Sequence, residues 1–200
     1  MVLIWSAAGQ DVCWLLPERK TGCIMLKVVL NALVALMLIF LNAFAVAQTA
    51  MIEKFVPEAE LVGEARFKVL LFPVYDASLY APNGEYERSS PLALVLNYVS
   101  DLKKERIVST TVKTFERRKM GSSADIDKWR KIMRMHFSDV RKGDQIMIAF
   151  PDFQTVVFST NGSNPTFVRD QGFAAAFKDL WLGDNVRNKR FQTKLIGLEK

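Results

Sequence analysis

Cysteine and histidine are nearly missing from this 200-residue chain. Both cysteines, Cys13 and Cys23, lie within the first 24 residues, so the rest of the chain has no thiol for a disulfide, for nucleophilic catalysis or for metal binding. The single histidine, His136, has no second histidine at the spacing of a zinc pair and no local partner for a serine–histidine triad. We therefore expect a fold stabilised by its hydrophobic core, without a metal or any other cofactor.

Signatures of nucleotide and nucleic-acid binding are missing as well. The sequence has no glycine-rich phosphate loop, no nucleophile elbow and no nucleic-acid-binding motif. The net charge is only +6, and the basic residues concentrate between residues 103 and 142. Such a region is typical of the solvated side of two helices, although it would also suit an anionic lipid surface or an acidic protein. We expect no nucleic-acid partner.

A long apolar run near the N-terminus has the three parts of a secretory signal peptide. Residues 25–27 form a short cationic start, residues 28–44 are apolar apart from two asparagines, and residues 45–47 (Ala-Val-Ala) match a signal-peptidase site. The pattern predicts cleavage between Ala47 and Gln48 and a periplasmic or secreted protein. The alternative is an inner-membrane signal anchor, because the run approaches the roughly 20 residues that span a bilayer.

The first 24 residues do not fit in front of a signal peptide, because they carry Asp11, Glu18 and two tryptophans. We interpret residues 1–24 as an extension that results from a wrongly assigned start codon, with Met25 as the true first residue. The mature chain is then residues 48–200, with 24 basic and 19 acidic residues and no stable membrane span. Its 153 residues are enough for one domain with its own core.

Alternating polar and apolar residues predict strands in the first half of this domain. Residues 63–72 begin polar on one face and become apolar on both, so we expect the end of this strand inside a covered sheet. Pro73 is predicted to break the strand, and residues 74–80 to continue as a second one. Residues 92–99 are apolar on both faces except at Asn97, which would need a hydrogen-bond partner if buried.

Helical periodicity follows. Apolar residues predict a helix over 101–120 that ends at Gly121. The pair Ser122 and Asp125 has the spacing of a capping box, which predicts that a second helix begins there.

The last part of the chain returns to strands and then to helices. Strands are predicted over 145–150, 153–160 and 166–168. Asp170 is the expected N-cap of a helix whose Phe173, Phe177 and Trp181 share one face, and a short helix is predicted over 188–195. The whole order predicts an α+β fold in which helices cover one face of a mainly antiparallel sheet.

Several stretches together resemble the bacterial chalcone isomerase-like proteins. The resemblance extends from about residue 62 to residue 198 and rests on the order of these motifs: Val74–Tyr80, Pro91–Tyr98, the helix around Trp129, the turn Phe137–Asp144, the Asn161-Gly162 turn and Phe173–Gly183. It implies an open-faced β-sandwich, in which helices cover a large antiparallel sheet. This agrees with the order of elements predicted from the residues.

The resemblance does not extend to the isomerase reaction. Plant chalcone isomerases close a flavanone ring with an arginine just before the strand that corresponds to residues 63–72, together with threonine, tyrosine and asparagine side chains. This sequence has no arginine directly before Gly63, and residues 101–137 contain neither tyrosine nor asparagine. Relatives with the same fold and without isomerase activity bind fatty acids, so the fold is compatible with either role.

The sequence thus favours a non-catalytic protein that holds a fatty acid or another apolar small molecule between the sheet and the helices. Arg66 is the candidate charge partner of a carboxylate, and Tyr75, Tyr98 and Thr111 are the candidate hydrogen-bonding residues. Two alternatives remain open. One is an isomerase or intramolecular lyase that acts on an unsaturated ketone, and the other is a structural partner protein that uses its basic helices.

Overall fold

The computed structural model of the protein describes residues 30–31 and 50–199. The chain separates into two units, Met1–Ala47 and Gln48–Lys200, and the second is the folded domain described below. The predicted N-terminal extension, most of the predicted signal peptide and the predicted cleavage site lie outside the described residues. Within residues 30–31 and 50–199, no helix has the length and apolar character needed to cross a membrane.

One six-stranded sheet forms the centre of the domain, and every strand pairs antiparallel with the next strand along the chain. The strands are β1 (Ala59–Val69), β2 (Phe72–Pro82), β3 (Leu92–Tyr98), β4 (Gln145–Phe150), β5 (Thr155–Thr160) and β6 (Thr166–Arg169). The predicted α+β class with a mainly antiparallel sheet is therefore confirmed.

Four helices lie in the connection between β3 and β4 and after β6. They are α1 (Lys104–Arg118), α2 (Ser123–His136), α3 (Gln171–Leu182) and α4 (Lys189–Leu195). The predicted caps are present: Ser122 and Asp125 form a reciprocal capping box, and the Asp170 carboxylate accepts a hydrogen bond from the Phe173 amide. These side chains satisfy amides that have no partner inside the helix.

The two faces of the sheet have different covers because successive residues of a strand point to opposite sides. Leu92, Leu94, Leu96 and Tyr98 of β3 belong to the main core, which contains the buried apolar residues of all four helices. Ala93 and Val95 belong to a smaller cluster on the outer face, which residues 51–56 cover through Ile52 and Val56. The two-sided apolar pattern of β3 thus reflects a sheet that is covered on both faces.

The turn between β1 and β2 lies earlier than the sequence predicts. Val69 pairs with Phe72, so the chain turns at Leu70 and Leu71, and Pro73 lies within β2 instead of breaking a strand. The expected burial at the end of this strand is also wrong, because residues 69–72 are all exposed. The run of apolar residues suggested a covered strand, whereas in the structure it forms the end of a hairpin.

The first helix is shorter than predicted at both ends. Leu102 forms an isolated bridge with Val140, and the helix begins only at Lys104. It ends at Lys119, whose positive φ of 52° closes the last turn before Gly121 is reached. A smaller difference concerns β5, which begins at Thr155 because the Asp152 carboxylate accepts hydrogen bonds from the amides of Gln154 and Thr155.

Candidate functional site

Two of the predicted site residues, Tyr75 and Tyr98, lie side by side beneath the helices. They are direct partners in the register of β2 and β3, and their ring centroids are 5.5 Å apart. Both side chains belong to the main core and are buried. The antiparallel pairing of the two strands thus brings together two phenol groups that are separated by 22 residues in the sequence.

A hydrogen bond from α3 fixes the first phenol. The Trp181 indole Nε1 donates to the Tyr75 hydroxyl oxygen at 3.0 Å, inside the core. Because the oxygen acts as acceptor in this bond, the hydroxyl proton of Tyr75 remains available for another acceptor. Burial raises the pKa of Tyr75 far above its ordinary value, an effect that the Trp181 bond opposes in part, so the phenol stays protonated at neutral pH.

The second phenol has no such partner. The Tyr98 hydroxyl makes no hydrogen bond to any described residue, and burial raises its pKa to about 12. The only fully enclosed side-chain nitrogen or oxygen without a partner, among residues 30–31 and 50–199, is Nε of Arg118. The Tyr98 hydroxyl therefore keeps some contact with solvent, although the residue as a whole is only 7% exposed.

Aromatic side chains surround the two tyrosines. The Phe67 ring is stacked on Tyr75 with 5.0 Å between centroids, and Phe191 of α4 meets Phe67 edge-on at 5.6 Å. On the other side, Trp181 meets Phe177 edge-on at 5.3 Å. The phenol groups thus lie in an apolar environment, where a hydrogen bond or a charge has a stronger effect than in water.

Arg66, the predicted charge partner of a ligand, lies on the opposite face of the sheet. Phe67, its neighbour in β1, points into the core next to Tyr75, so Arg66 points outward. Its guanidinium forms a bidentate ion pair with the Asp76 carboxylate, in which Nε donates to Oδ1 at 2.6 Å and Nη2 donates to Oδ2 at 2.7 Å. The Arg66 guanidinium is therefore already neutralised by a protein carboxylate.

The remaining predicted residue, Thr111, lies half-buried on α1. The structure therefore brings together Tyr75 and Tyr98 and places Arg66 on the other side of the sheet. Trp181 and Phe191 contact the tyrosine pair, and sequence analysis did not assign them to the site. For Trp181 a signal existed, since its spacing of four residues from Phe177 placed it on the buried face of α3.

A shallow cavity lies elsewhere, at the opposite end of the sheet. It measures about 180 Å³, and its lining includes Arg88, Phe153 and Lys178 but neither tyrosine. Ligand pockets for drug-sized molecules usually measure about 300–1,000 Å³, so this cavity has room only for a small group. Among residues 30–31 and 50–199, no cluster of three histidine, cysteine or carboxylate side chains is arranged to hold a metal ion.

The fold and the sequence have recognisable relatives. The chain is similar to the crystal structure of a fatty-acid-binding protein from Arabidopsis thaliana, with a TM-score of 0.52 and 15% sequence identity, over 70% of this chain and 88% of that one. At this identity the likeness concerns the fold alone. No curated protein matches the sequence. The sequence profile described as chalcone isomerase-like matches residues 57–197, well over half of the chain. The protein therefore belongs to the chalcone isomerase-like family.

Proposed function

We propose that this protein binds an amphipathic small molecule with an acidic or carbonyl headgroup, a fatty acid above all, and that it does so without catalysis. The observation that carries the proposal is the Tyr98 hydroxyl, which has no protein partner and belongs to a ring 5.5 Å from that of Tyr75 in an otherwise apolar core. Because this hydroxyl keeps some contact with solvent, a ligand can reach it and replace water there. A hydroxyl without a protein partner is therefore a good candidate to meet a ligand.

The two phenols suit an acceptor group. Each has a proton to donate, because the Tyr75 oxygen already accepts from Trp181 and the Tyr98 hydroxyl has no protein acceptor. Their raised pKa values keep both protonated at neutral pH. Two neutral donors in an apolar setting can hold a carboxylate or carbonyl oxygen, since hydrogen bonds to a charged acceptor are the stronger ones.

The surroundings of the phenols suit an apolar tail. Phe67 and Phe191 lie against Tyr75, and Phe177 lies against Trp181, so the neighbourhood of the phenols is aromatic. The Arabidopsis protein that shares the fold is a fatty-acid-binding protein, which makes a fatty acid the first ligand to test. The small cavity at the other end of the sheet is a poorer candidate, because its volume is well below that of usual ligand pockets.

The positions of the charges argue against an isomerase. An enolate that develops during ring closure needs a cation or several donors directed at it. Arg66 is engaged by Asp76 on the opposite face of the sheet, so it cannot supply that charge next to the tyrosines. The geometry therefore favours binding over the isomerase and lyase alternative.

Titration calorimetry with a long-chain fatty acid tests the proposal. The change Tyr98→Phe removes one donor and leaves the ring in place, so affinity should fall by about 1.5 kcal/mol, roughly tenfold. Tyr80→Phe is the matched control, because Tyr80 is a half-buried tyrosine on the outer face of the sheet. It should bind like the wild type.

Arg66→Ala then locates the ligand. With the headgroup at the tyrosines, this change should leave affinity unchanged, because Arg66 points to the other face. A loss of binding in Arg66→Ala together with wild-type binding in Tyr98→Phe would contradict the tyrosine site and move the ligand to the outer face. No measurable binding by the wild type would contradict the proposal as a whole.

We also propose that the protein is exported and cleaved between Ala47 and Gln48. The support is the cationic start, the apolar run and the Ala-Val-Ala site in residues 25–47. Edman sequencing of protein from the periplasmic fraction should give an N-terminus at Gln48. An uncleaved chain in the inner membrane would instead support the signal-anchor alternative.

A further inference from the structure

The hairpin between β1 and β2 ends in an exposed apolar tip, defined here as residues 69–72 (Val-Leu-Leu-Phe). The side chains of Leu70 and Leu71 are 89% and 87% exposed, and Phe72 is 73% exposed. These three residues are consecutive in the sequence. Isolated exposed apolar residues are common, but a contiguous group of large ones usually marks an interaction site.

The turn at this tip keeps leucine where the backbone favours another residue. Val69 and Phe72 are paired, so Leu70 and Leu71 form a two-residue loop, and Leu70 has a positive φ of 57°. Glycine or asparagine normally occupies such a position, because a bulky side chain is strained there. At the turn after β5, Asn161 and Gly162 have positive φ. The β1–β2 turn thus carries apolar side chains at a conformational cost.

We propose that the apolar tip inserts into the surface of an anionic lipid bilayer. Leu70, Leu71 and Phe72 leave most of their surface uncovered at the very end of the hairpin. A bilayer interface encloses an inserted loop from all sides, and burial of each large apolar side chain favours insertion.

Cationic side chains lie at the same end of the sheet as the tip, which favours an anionic surface. Lys68 directly precedes the tip. The chain after β3 carries Lys103 and Lys104, and the turn before β4 carries Arg141 and Lys142. Both segments lie at this end of the sheet. The Val99 amide donates a hydrogen bond to the Val74 carbonyl near the start of β2, and the Gly143 amide donates one to the Tyr98 carbonyl at the end of β3. Basic residues next to a membrane surface add attraction to anionic lipid.

Three carboxylates at this end of the sheet each accept a hydrogen bond from a backbone amide, and that of Asp139 also pairs with the Lys103 ammonium at 2.8 Å. Asp101 accepts the Lys142 amide, Asp139 accepts the Lys104 amide, and Asp144 accepts the Arg141 amide. By contrast, the side chains of Lys68, Arg141 and Lys142 form no ion pair with any residue in 50–199. The charges that remain available to a partner on this surface are therefore mainly positive.

Hydrogen–deuterium exchange of the full chain, with and without vesicles, tests the docking and locates it. With vesicles of phosphatidylglycerol and phosphatidylcholine, the amides of residues 68–73 should exchange several-fold more slowly. The β4–β5 turn around Phe153, an exposed aromatic residue at the other end of the sheet, serves as internal control and should not change. Vesicles of phosphatidylcholine alone, or high salt, should reduce the protection because the electrostatic attraction is lost or screened.

Vesicle co-sedimentation of two variants of the folded unit Gln48–Lys200, which lacks the apolar run of residues 28–44, gives the second measurement. In the tip variant, Leu70→Asn, Leu71→Ser and Phe72→Thr remove the apolar side chains, and asparagine suits the positive φ of position 70. The control variant, Phe153→Ser with Leu198→Ser, removes two exposed apolar side chains away from the tip. The tip variant should bind vesicles at least about tenfold more weakly than the control variant.

Three outcomes would overturn the proposal. The first is unchanged exchange at residues 68–73 when the chain is bound to vesicles, and the second is equal vesicle binding by both variants. The third is protection of the tip that rises with protein concentration without vesicles, which would assign the tip to a second copy of the chain. The docking does not depend on ligand binding. Fatty-acid affinity should be unchanged in the tip variant, and vesicle binding should be unchanged in Tyr98→Phe.

Discussion

The indole of Trp181 on α3 donates a hydrogen bond of 3.0 Å to the hydroxyl of Tyr75 on β2, across 106 residues of sequence. The bond joins the last turn of a helix to the second strand of the sheet. It satisfies the polar atom of a buried tryptophan and at the same time holds the tyrosine ring against Phe67. The same hydrogen bond therefore contributes to the stability of the domain and to the geometry of the candidate ligand site.

Trp181→Ala should destabilise the domain by about 3–5 kcal/mol, because it removes a large buried side chain and leaves a cavity. The urea midpoint of unfolding is the measurement. Phe153→Ala is the matched control, since this aromatic residue is 67% exposed and should change stability by less than about 0.5 kcal/mol. A wild-type midpoint for Trp181→Ala would contradict the assigned packing of α3 on the sheet.

The two tyrosines should differ in what their hydroxyl groups contribute to stability. Tyr75→Phe leaves the Trp181 N–H without its acceptor, which should cost about 1–3 kcal/mol. Tyr98→Phe removes a hydroxyl that has no protein partner and should leave the free energy of unfolding nearly unchanged. Chemical denaturation of both variants checks this. An equal loss in the two would show that Tyr98 has a partner that the structure does not contain.

Gly63→Ala should destabilise the contact between β1 and α4. A methyl group at this position would lie 2.3 Å from the carbonyl oxygen of Lys194 and 2.9 Å from that of Leu195. Backbone atoms cannot move aside cheaply, so the expected cost is about 1–3 kcal/mol or more. Amides of residues 189–195 should also exchange faster with solvent.

Gly162→Ala is the control for that change, because no atom lies within 4 Å of the new methyl group. The positive φ of Gly162 should still cost about 1–2 kcal/mol. Exchange in α4 should be unaffected, however. If both variants loosen α4 equally, the effect of Gly63→Ala does not come from the local contact.

Lowering the pH should destabilise the N-terminal end of α3, because the Asp170 carboxylate that caps it becomes protonated. Burial alone would raise the pKa of this carboxyl group, but the Lys128 ammonium at 2.5 Å and the Phe173 amide stabilise the charged form and lower the pKa overall. The stability that Asp170 contributes is therefore present above its unfolded pKa of about 3.9, and it is lost as pH falls through the lower folded value.

Asp170→Asn tests this pH dependence, because asparagine also caps a helix but does not ionise. Urea midpoints should fall less steeply for this variant than for the wild type as the pH is lowered from about 5 to 2. At neutral pH the variant should lose at most about 1 kcal/mol, since Lys128 is largely exposed and solvent screens the pair. Identical pH profiles would contradict the assigned role of the carboxylate.

The protein should not accelerate cyclisation of a chalcone above the spontaneous rate. No cation from β1 lies next to the tyrosines, because Arg66 is paired with Asp76 on the outer face. An absorbance assay of the purified protein is the measurement, with enzyme-free buffer as the baseline. A saturable rate that Tyr75→Phe abolishes would favour the isomerase and lyase alternative.

The sequence predicted the elements well where a local physical cause determines them. The alternation of β3, the capping box at Ser122 and the N-cap at Asp170 are confirmed, because period and capping depend on neighbouring residues. The turn at Leu70 was missed because the neighbouring residues give no sign of it. Two leucines in a row are not a turn signal, and no local pattern shows that they are exposed.

The site was harder to predict because it depends on strand register. Tyr75 lies opposite Phe67 only because the chain turns at residues 70–71 and the register shifts between Phe67 and Lys68. A change of one residue in this pairing would exchange the faces. Sequence analysis therefore grouped Arg66 with the tyrosines, although the sheet separates them.

β1 is the long open edge of the sheet, with a neighbour on one side only. Its pairing is irregular at two places, between Leu61 and Gly63 and between Phe67 and Lys68. Charged side chains, Glu60, Glu64, Arg66 and Lys68, recur along it. Irregular and charged edges are poor templates for another strand. The opposite edge, β6, is only four residues long. Both free edges are thus protected against amyloid-like stacking with neighbouring molecules, which favours a protein that resists aggregation when crowded.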